Sequence, residues 1–109
     1  MSEILSRIGA IIDDRRGASP EESYVARLFD EGIDKILKKV GEEASETIIA
    51  GKSGDRAQIV YETADLWFHS LVLLKFRNIE PEEVLKELEG RFGVSGLEEK
   101  AARNEGGSK

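Results

Sequence analysis

The segment RAQIVYETADLWFHSLVLLKF, residues 56–76, decides the fold class because it is apolar around most of a helical circumference. At 100° per residue, four of its polar side chains fall within a strip only about 60° wide. That strip holds Gln58, Glu62, Asp65 and His69. A helix this apolar is expected to be buried. Its acids must therefore face something other than bulk water.

The segment KVGEEASETIIA, residues 39–50, supplies the matching acids. It ends a predicted helix over residues 33–50, on which Glu43 lies at the margin of the apolar stripe. Glu42 and Glu46 lie further round the same helix, on the side that also carries Lys35 and Lys39. We expect the acid-rich flank of this helix to face the acidic strip of the next one.

The turn and capping residues in the rest of the sequence predict an all-α bundle of about five helices, and no convincing strand or hairpin pattern is present. Ser19, Pro20 and Glu22 have the spacing of a capping box and predict a second helix over 20–30. Residues 51–55 are predicted to form a loop, with Asp55 as the N-cap of the following helix. The predicted helices span residues 3–15, 20–30, 33–50, 56–76, 81–92 and 95–103. We predict one domain over 1–104 and a flexible tail over 105–109.

Composition narrows the class of function. The chain has 109 residues, no cysteine and a formal charge of −6, with scattered basic residues. These features exclude disulfides and thiolate metal sites, and they disfavour nucleic-acid and membrane partners. No signal peptide or transmembrane segment is recognisable, so we expect a cytoplasmic protein.

The crowded acids predict a metal site. Two carboxylates about 5 Å apart repel by roughly 3 kcal/mol at an effective dielectric near 20, so partial protonation or a cation must relieve them. Oxygen ligands without cysteine suit Mg²⁺, which takes one or two carboxylates and completes its shell with water and phosphates. A ferritin-like di-iron centre is disfavoured because it needs two Glu-x-x-His pairs and the chain has one histidine.

Less specific interpretations stay open. The three glutamates of residues 42–46 are also compatible with ordinary solvated charges on a non-catalytic helical interaction module. His69 suits a packed, hydrogen-bonded role better than that of a ligand. Trp67 and Phe68 are most simply core or subunit-interface residues.

Four blocks of sequence carry a family resemblance. They are SYVARLF (23–29), KKVGEEASETIIA (38–50), ETADLWFHSLVLL (62–74) and RFGVSGLEEKAAR (91–103). Glu43-x-x-Glu46 followed by Glu62-x-x-Asp65 resembles the acidic signature of the all-α nucleotide pyrophosphohydrolases, which include the MazG-like enzymes. Together the four blocks resemble the phosphoribosyl-ATP pyrophosphohydrolase family, over about residues 19–103.

This resemblance implies Mg²⁺-dependent hydrolysis of phosphoribosyl-ATP to phosphoribosyl-AMP and pyrophosphate, the second step of histidine biosynthesis. It implies that Glu43, Glu46, Glu62 and Asp65 hold the metal. Glu42 is a candidate for activating water. An enzyme of the same superfamily acting on noncanonical nucleoside triphosphates is the alternative.

Basic residues on the acid-bearing side of the third helix and in the C-terminal blocks are candidates for phosphate contacts by position alone. They are Lys35, Lys39, Arg91, Lys100 and Arg103. The C-terminal candidates could act across a subunit boundary. Since short helices can scarcely cover so apolar a central helix, we also predict a homodimer.

Overall fold

The computed structural model describes residues 2–93, which form five α-helices and no strand. The helices are α1 (Ser2–Arg16), α2 (Tyr24–Glu31), α3 (Ile33–Ser53), α4 (Arg56–Phe76) and α5 (Pro81–Phe92). The predicted all-α class is therefore confirmed. The predicted helix over 95–103 and the tail over 105–109 lie outside the described residues.

The α3–α4 hairpin is the main structural unit, and its turn is tighter than the sequence predicted. Helix α3 continues through Gly51 to Ser53, so the predicted loop over 51–55 was wrong in its first half. Gly54 ends α3 with a positive φ of 80°, a conformation that glycine adopts at little cost, and its N–H donates to Ala50. Asp55 then accepts from the backbone N–H of Gln58, which confirms it as the N-cap of α4.

Helix α2 begins later than predicted. Residues 20–22 form a turn in which the N–H groups of Glu22 and Ser23 both donate to the carbonyl of Ser19. Ser23 then adopts an extended conformation, and its hydroxyl accepts from Ala26 as the N-cap. The predicted capping box at Ser19 was therefore wrong, because the proline-containing segment makes a turn that ends before the helix starts.

The core lies where α1 to α4 meet. Its buried side chains are Ile12, Val25, Leu28, Ile36, Leu71 and Val72. Every one of the first four helices contributes to this cluster, so the α3–α4 hairpin is held on one side by α1 and α2. This packing fixes the position of the polar face of α4.

Lys75 joins three segments beneath the core. Its buried ammonium lies 2.6 Å from Asp13 on α1 and 2.7 Å from Glu80, the residue before α5. Burial alone would lower the pKa of Lys75, but hydrogen bonds to Asp13 and Glu80 outweigh it and raise that pKa.

Gly9 allows α1 to approach Pro81 closely, since a Cβ there would lie 3.1 Å from the proline ring.

Helix α4 is less buried in the single chain than its composition predicts. Leu71 and Val72 are buried, but the side chains of Trp67 and Val60 are 59% and 63% exposed. The short helices of one chain therefore leave part of the apolar surface of α4 exposed, which is the expectation on which the predicted homodimer rests. Among residues 2–93, no helix is long and apolar enough to cross a membrane.

Candidate metal centre

Three side chains converge between α3 and α4. Glu43, Asp65 and His69 each offer a ligand atom, and these atoms all lie within 4.8 Å of one another. Asp65 and His69 are one helical turn apart on α4, so they share a face, and the hairpin places Glu43 of α3 opposite them. Glu43 is only 8% exposed and His69 only 3%. The acid strip of α4 therefore does face the acidic flank of α3, as predicted.

The environment of Glu43 raises the pKa of its carboxyl group above the ordinary value of a glutamate. Burial raises the pKa of Glu43, and a hydrogen bond with Asp65 together with the Asp65 charge raises it further. Lys39 and His69 oppose these effects but do not reverse them. Two carboxyl groups this close repel each other when both are ionised, and a cation bound between them would relieve that repulsion.

Lys39 stands at the edge of this centre. Its ammonium lies 3.3 Å from Glu42 and 3.6 Å from Glu43. Burial lowers the pKa of Lys39, but the hydrogen bond to Glu42 and the charges of Tyr24 and the two glutamates raise it more. Lys39 is therefore a cation at neutral pH, beside the acid pair and half-exposed.

His69 is engaged at both ring nitrogens. Nδ1 lies 2.9 Å from the carbonyl oxygen of Asp65, which can only accept, so Nδ1 carries a hydrogen. Nε2 lies 2.7 Å from the hydroxyl of Tyr24. In the neutral ring Nε2 accepts from that hydroxyl, and neither nitrogen has a lone pair free for a metal. His69 therefore uses both ring nitrogens in hydrogen bonds in this structure, one of them to the backbone of Asp65.

Thr47 and Tyr24 complete the centre, and neither was predicted from the sequence as a site residue. The hydroxyl of Thr47 lies 2.8 Å from the carbonyl oxygen of Glu43 and 3.2 Å from that of Glu62, which links the two helices at the level of the acids. Thr47 follows Glu43 by four residues, and this spacing could have identified it. Tyr24 comes from another helix, and no local pattern points to it.

The other predicted metal ligands lie outside the converging group. Glu46 is exposed and Glu62 is half-buried, and neither belongs to the set of ligand atoms formed by Glu43, Asp65 and His69. The four-carboxylate metal site thus stays a prediction, of which the structure brings two members together. Glu42 is exposed and pairs with Lys39.

The predicted phosphate-binding residues are spread over the molecule. Lys35 is exposed and lies 3.9 Å from Glu31 on α2. Arg91 is on α5, where it pairs with Glu87 at 3.0 Å. Lys100 and Arg103 lie outside the described residues. Of the three basic candidates that the structure describes, Lys39 is the one that lies against the acid pair.

The donor set fits a hard divalent cation. Glu43 and Asp65 provide oxygen ligands close together, and the low exposure of Glu43 limits the screening of their mutual repulsion by water. Such a pair matches Mg²⁺, which commonly binds one or two carboxylates and leaves coordination positions for water or phosphate oxygens. The centre can therefore bring a polyphosphate to an acidic surface through a cation.

Comparison with known proteins identifies the family to which the chain belongs. The sequence profile described as phosphoribosyl-ATP pyrophosphohydrolase matches residues 5–92. A protein of Geobacter sulfurreducens named phosphoribosyl-ATP pyrophosphatase is 63% identical over 103 residues, covering 94% of this chain and 95% of the relative. A protein of the same name from Geobacter metallireducens is 58% identical, covering 93% of this chain and 93% of the relative. Another from Methylococcus capsulatus is 53% identical, covering 95% of this chain and 99% of the relative.

Proposed function

The chain belongs to the phosphoribosyl-ATP pyrophosphohydrolase family, and from this premise we propose that it hydrolyses phosphoribosyl-ATP with Mg²⁺ as its cofactor. It is a hydrolase, a phosphoribosyl-ATP diphosphatase acting on a phosphoric anhydride bond in histidine biosynthesis. The products are phosphoribosyl-AMP and pyrophosphate. The proposal includes a cytoplasmic location. Its main support in the structure is the close pair of Glu43 and Asp65, a carboxylate site on a protein that must bind an anion.

The metal ligands in this proposal come from both helices of the hairpin. Glu43 and Asp65 form the inner pair, and Glu46 and Glu62, one turn from them along α3 and α4, would help to hold the cation. Mg²⁺ held there would neutralise charge on the phosphates and on the leaving pyrophosphate. The residues of the chain hold the acids in place: His69 fixes the backbone of Asp65, and Thr47 fixes that of Glu43.

Lys39 and Glu42 have separate roles beside this pair. We assign Lys39 to a phosphate oxygen, since its ammonium is already half-exposed and next to Glu43. Glu42 is the exposed partner of Lys39, so it can hold a water molecule and accept its proton once Lys39 turns to the phosphate. Lys35, one turn before Lys39, is assigned to the outer part of the polyphosphate.

A homodimer is the second element of the proposal. Trp67 lines an apolar groove of about 430 Å³ between α1, α4 and α5, together with Ile4, Val84 and Leu88. Val60 and Tyr61 form a further exposed apolar surface near the end of the α3–α4 hairpin. Exposed apolar area of this kind on a small chain is usually covered by a partner, and a second copy is the partner that we propose.

Pyrophosphate release tests the function directly. We expect the purified chain to release one pyrophosphate per phosphoribosyl-ATP when Mg²⁺ is present and none when EDTA replaces it. A panel of ordinary and noncanonical nucleoside triphosphates serves as the comparison. Hydrolysis of the panel with no turnover of phosphoribosyl-ATP would contradict the proposed substrate, and equal turnover in EDTA would contradict the proposed cofactor.

A further inference from the structure

A separate recess adjoins the metal centre. It has a volume of about 620 Å³ and lies beside α1 and α2, with walls that include Ile11, Arg15, Glu22, Tyr24, Val25 and Phe68. Tyr24 belongs to both sites, because its hydroxyl bonds the His69 ring of the metal centre. Phe68 precedes His69, and the centroids of their rings lie 5.1 Å apart. A ligand in the recess would therefore lie against the tyrosine whose hydroxyl bonds His69.

The walls of the recess suit a planar, partly polar ligand. The rings of Tyr24 and Phe68 are stacked with an interplanar angle of 26° and centroids 6.4 Å apart. Ile11 and Val25 add apolar surface. The volume falls within the range of about 300 to 1,000 Å³ that is usual for small-molecule sites. Aromatic and aliphatic walls of this kind fit a purine base.

Arg15 gives the recess a cation that is not otherwise used. Within residues 2–93, its guanidinium has no hydrogen bond or ion pair, whereas neighbouring Arg16 contacts Asp13 and the carbonyl of Lys75. Arg27 is also engaged, with the carbonyl of Pro20 and the ring of Tyr24. Glu22 is the acid on the same wall, and its carboxylate can accept hydrogen bonds from sugar hydroxyls.

The proposed substrate has two anionic ends that need different partners. Its triphosphate can be bound through Mg²⁺ at the acid pair, but the phosphate on its added ribose lies on the other side of the base. A phosphate bound without a metal requires a basic group, and arginine is well suited because its donors match phosphate oxygens in pairs. AMP and ATP lack this second phosphate.

We propose that the recess binds the phosphoribosyl-adenine end of the substrate, with Arg15 pairing the phosphate of the added ribose. The adenine lies against Tyr24 and Phe68, and Glu22 accepts from ribose hydroxyls. This inference rests on the proposed function, and it makes Arg15 the residue that distinguishes phosphoribosyl nucleotides from simple adenine nucleotides. The triphosphate then extends past Tyr24 to the acids.

Measuring the affinity for the product tests this recess independently of the metal centre. Phosphoribosyl-AMP retains the base and both ribose phosphates but has no pyrophosphate, so its affinity can be measured by calorimetry with EDTA present and compared with that of AMP. We expect the wild-type chain to bind phosphoribosyl-AMP about tenfold more tightly than AMP or better, as a charge-assisted hydrogen bond provides. Arg15→Gln should remove that preference, and Arg15→Lys should retain part of it.

Arg7→Gln is the matched control, since Arg7 is an exposed arginine about two turns earlier on α1 and does not line the recess. It should retain the full preference. Equal affinity of the wild-type chain for AMP and phosphoribosyl-AMP would overturn the inference, as would an unchanged preference in Arg15→Gln. Either result, with phosphoribosyl-ATP still hydrolysed by the wild type, leaves the proposed function standing. Absence of that hydrolysis would instead remove the function itself.

Discussion

The hydroxyl of Tyr24 lies 2.7 Å from Nε2 of His69, joining the first turn of α2 to the acid-bearing face of α4. The carbonyl of Asp65 can only accept, so Nδ1 of the same ring carries a hydrogen, and in the neutral ring Nε2 accepts from the Tyr24 hydroxyl. The tyrosine therefore holds a residue of the metal centre in place from α2, a helix that contributes no acid to that centre.

Replacing Tyr24 with phenylalanine tests this contact. The change leaves Nε2 of a buried histidine without its donor, so the free energy of unfolding should fall by about 1 to 2 kcal/mol in denaturant titrations. Tyr61→Phe is the control, because Tyr61 is exposed, and it should change stability by less than about 0.5 kcal/mol. Equal effects of the two substitutions would argue against the hydrogen bond.

The raised pKa of Glu43 predicts a pH-dependent stability difference. Burial and Asp65 raise the pKa of Glu43 in the folded chain above that of the unfolded chain, so its favourable contribution is complete below the unfolded pKa. That contribution is lost as the pH rises through the folded pKa. Without Mg²⁺, Glu43→Gln should therefore gain stability relative to the wild type as the pH rises above the ordinary pKa of a glutamate and through the raised pKa of Glu43.

Denaturant titrations of both proteins in EDTA measure this difference. Glu89→Gln, which changes an exposed glutamate of α5, should show no such pH trend. A stability difference between Glu43→Gln and the wild type that stays constant with pH would mean that Glu43 titrates like an ordinary surface glutamate.

Glu46→Gln and Asp65→Asn should separate catalysis from stability. If the acids hold a metal, each change should lower turnover by at least about a hundredfold. The unfolding free energy without Mg²⁺ should be unchanged or higher, because repulsion between carboxylates is relieved. Steady-state pyrophosphate release and denaturant titration provide the two measurements. Activity retained together with marked destabilisation would assign these acids a structural role.

Lys75 should matter for folding and not for chemistry. Lys75→Ala removes a buried side chain and its ion pairs with Asp13 and Glu80, so we expect a loss of about 2 to 3 kcal/mol. Lys75→Met keeps most of the volume, and since both acids are partly exposed to water it should cost less. Thermal and denaturant unfolding measure both. Equal losses would show that charge and not packing sets the contribution of Lys75.

Trp67 tests the proposed homodimer. Sedimentation at micromolar concentration should give a dimer for the wild type, and Trp67→Glu should shift it towards the monomer because a charge enters the apolar groove. Lys86→Glu changes an exposed residue of α5 outside that groove and should remain dimeric. A wild-type monomer would contradict the proposal, and a dimer unaffected by Trp67→Glu would place the interface elsewhere.

Local sequence signals predicted the parts of the fold that local interactions determine. The spacing of apolar residues and the N-cap at Asp55 gave α4 its observed bounds, and the helical wheel placed Glu43 and Asp65 on facing sides. The start of α2 was mispredicted because Ser19 and Ser23 are both competent caps, and the choice between them depends on how the turn over 20–22 packs. A wheel also gives the direction of a side chain on its own helix but not the rotation of that helix against its neighbour. For this reason the separation of Glu46 and Glu62 from the inner pair, and the contact of Tyr24 with His69, could not be predicted.

A crystal structure with Mn²⁺ in place of Mg²⁺ tests the central claim most directly, because its anomalous scattering locates the metal. The account predicts a peak about 2.0 to 2.3 Å from carboxylate oxygens of both Glu43 and Asp65, with His69 still bonded to Tyr24. Mn²⁺ bound elsewhere, or coordinated by neither of these two carboxylates in crystals that retain activity, would contradict it.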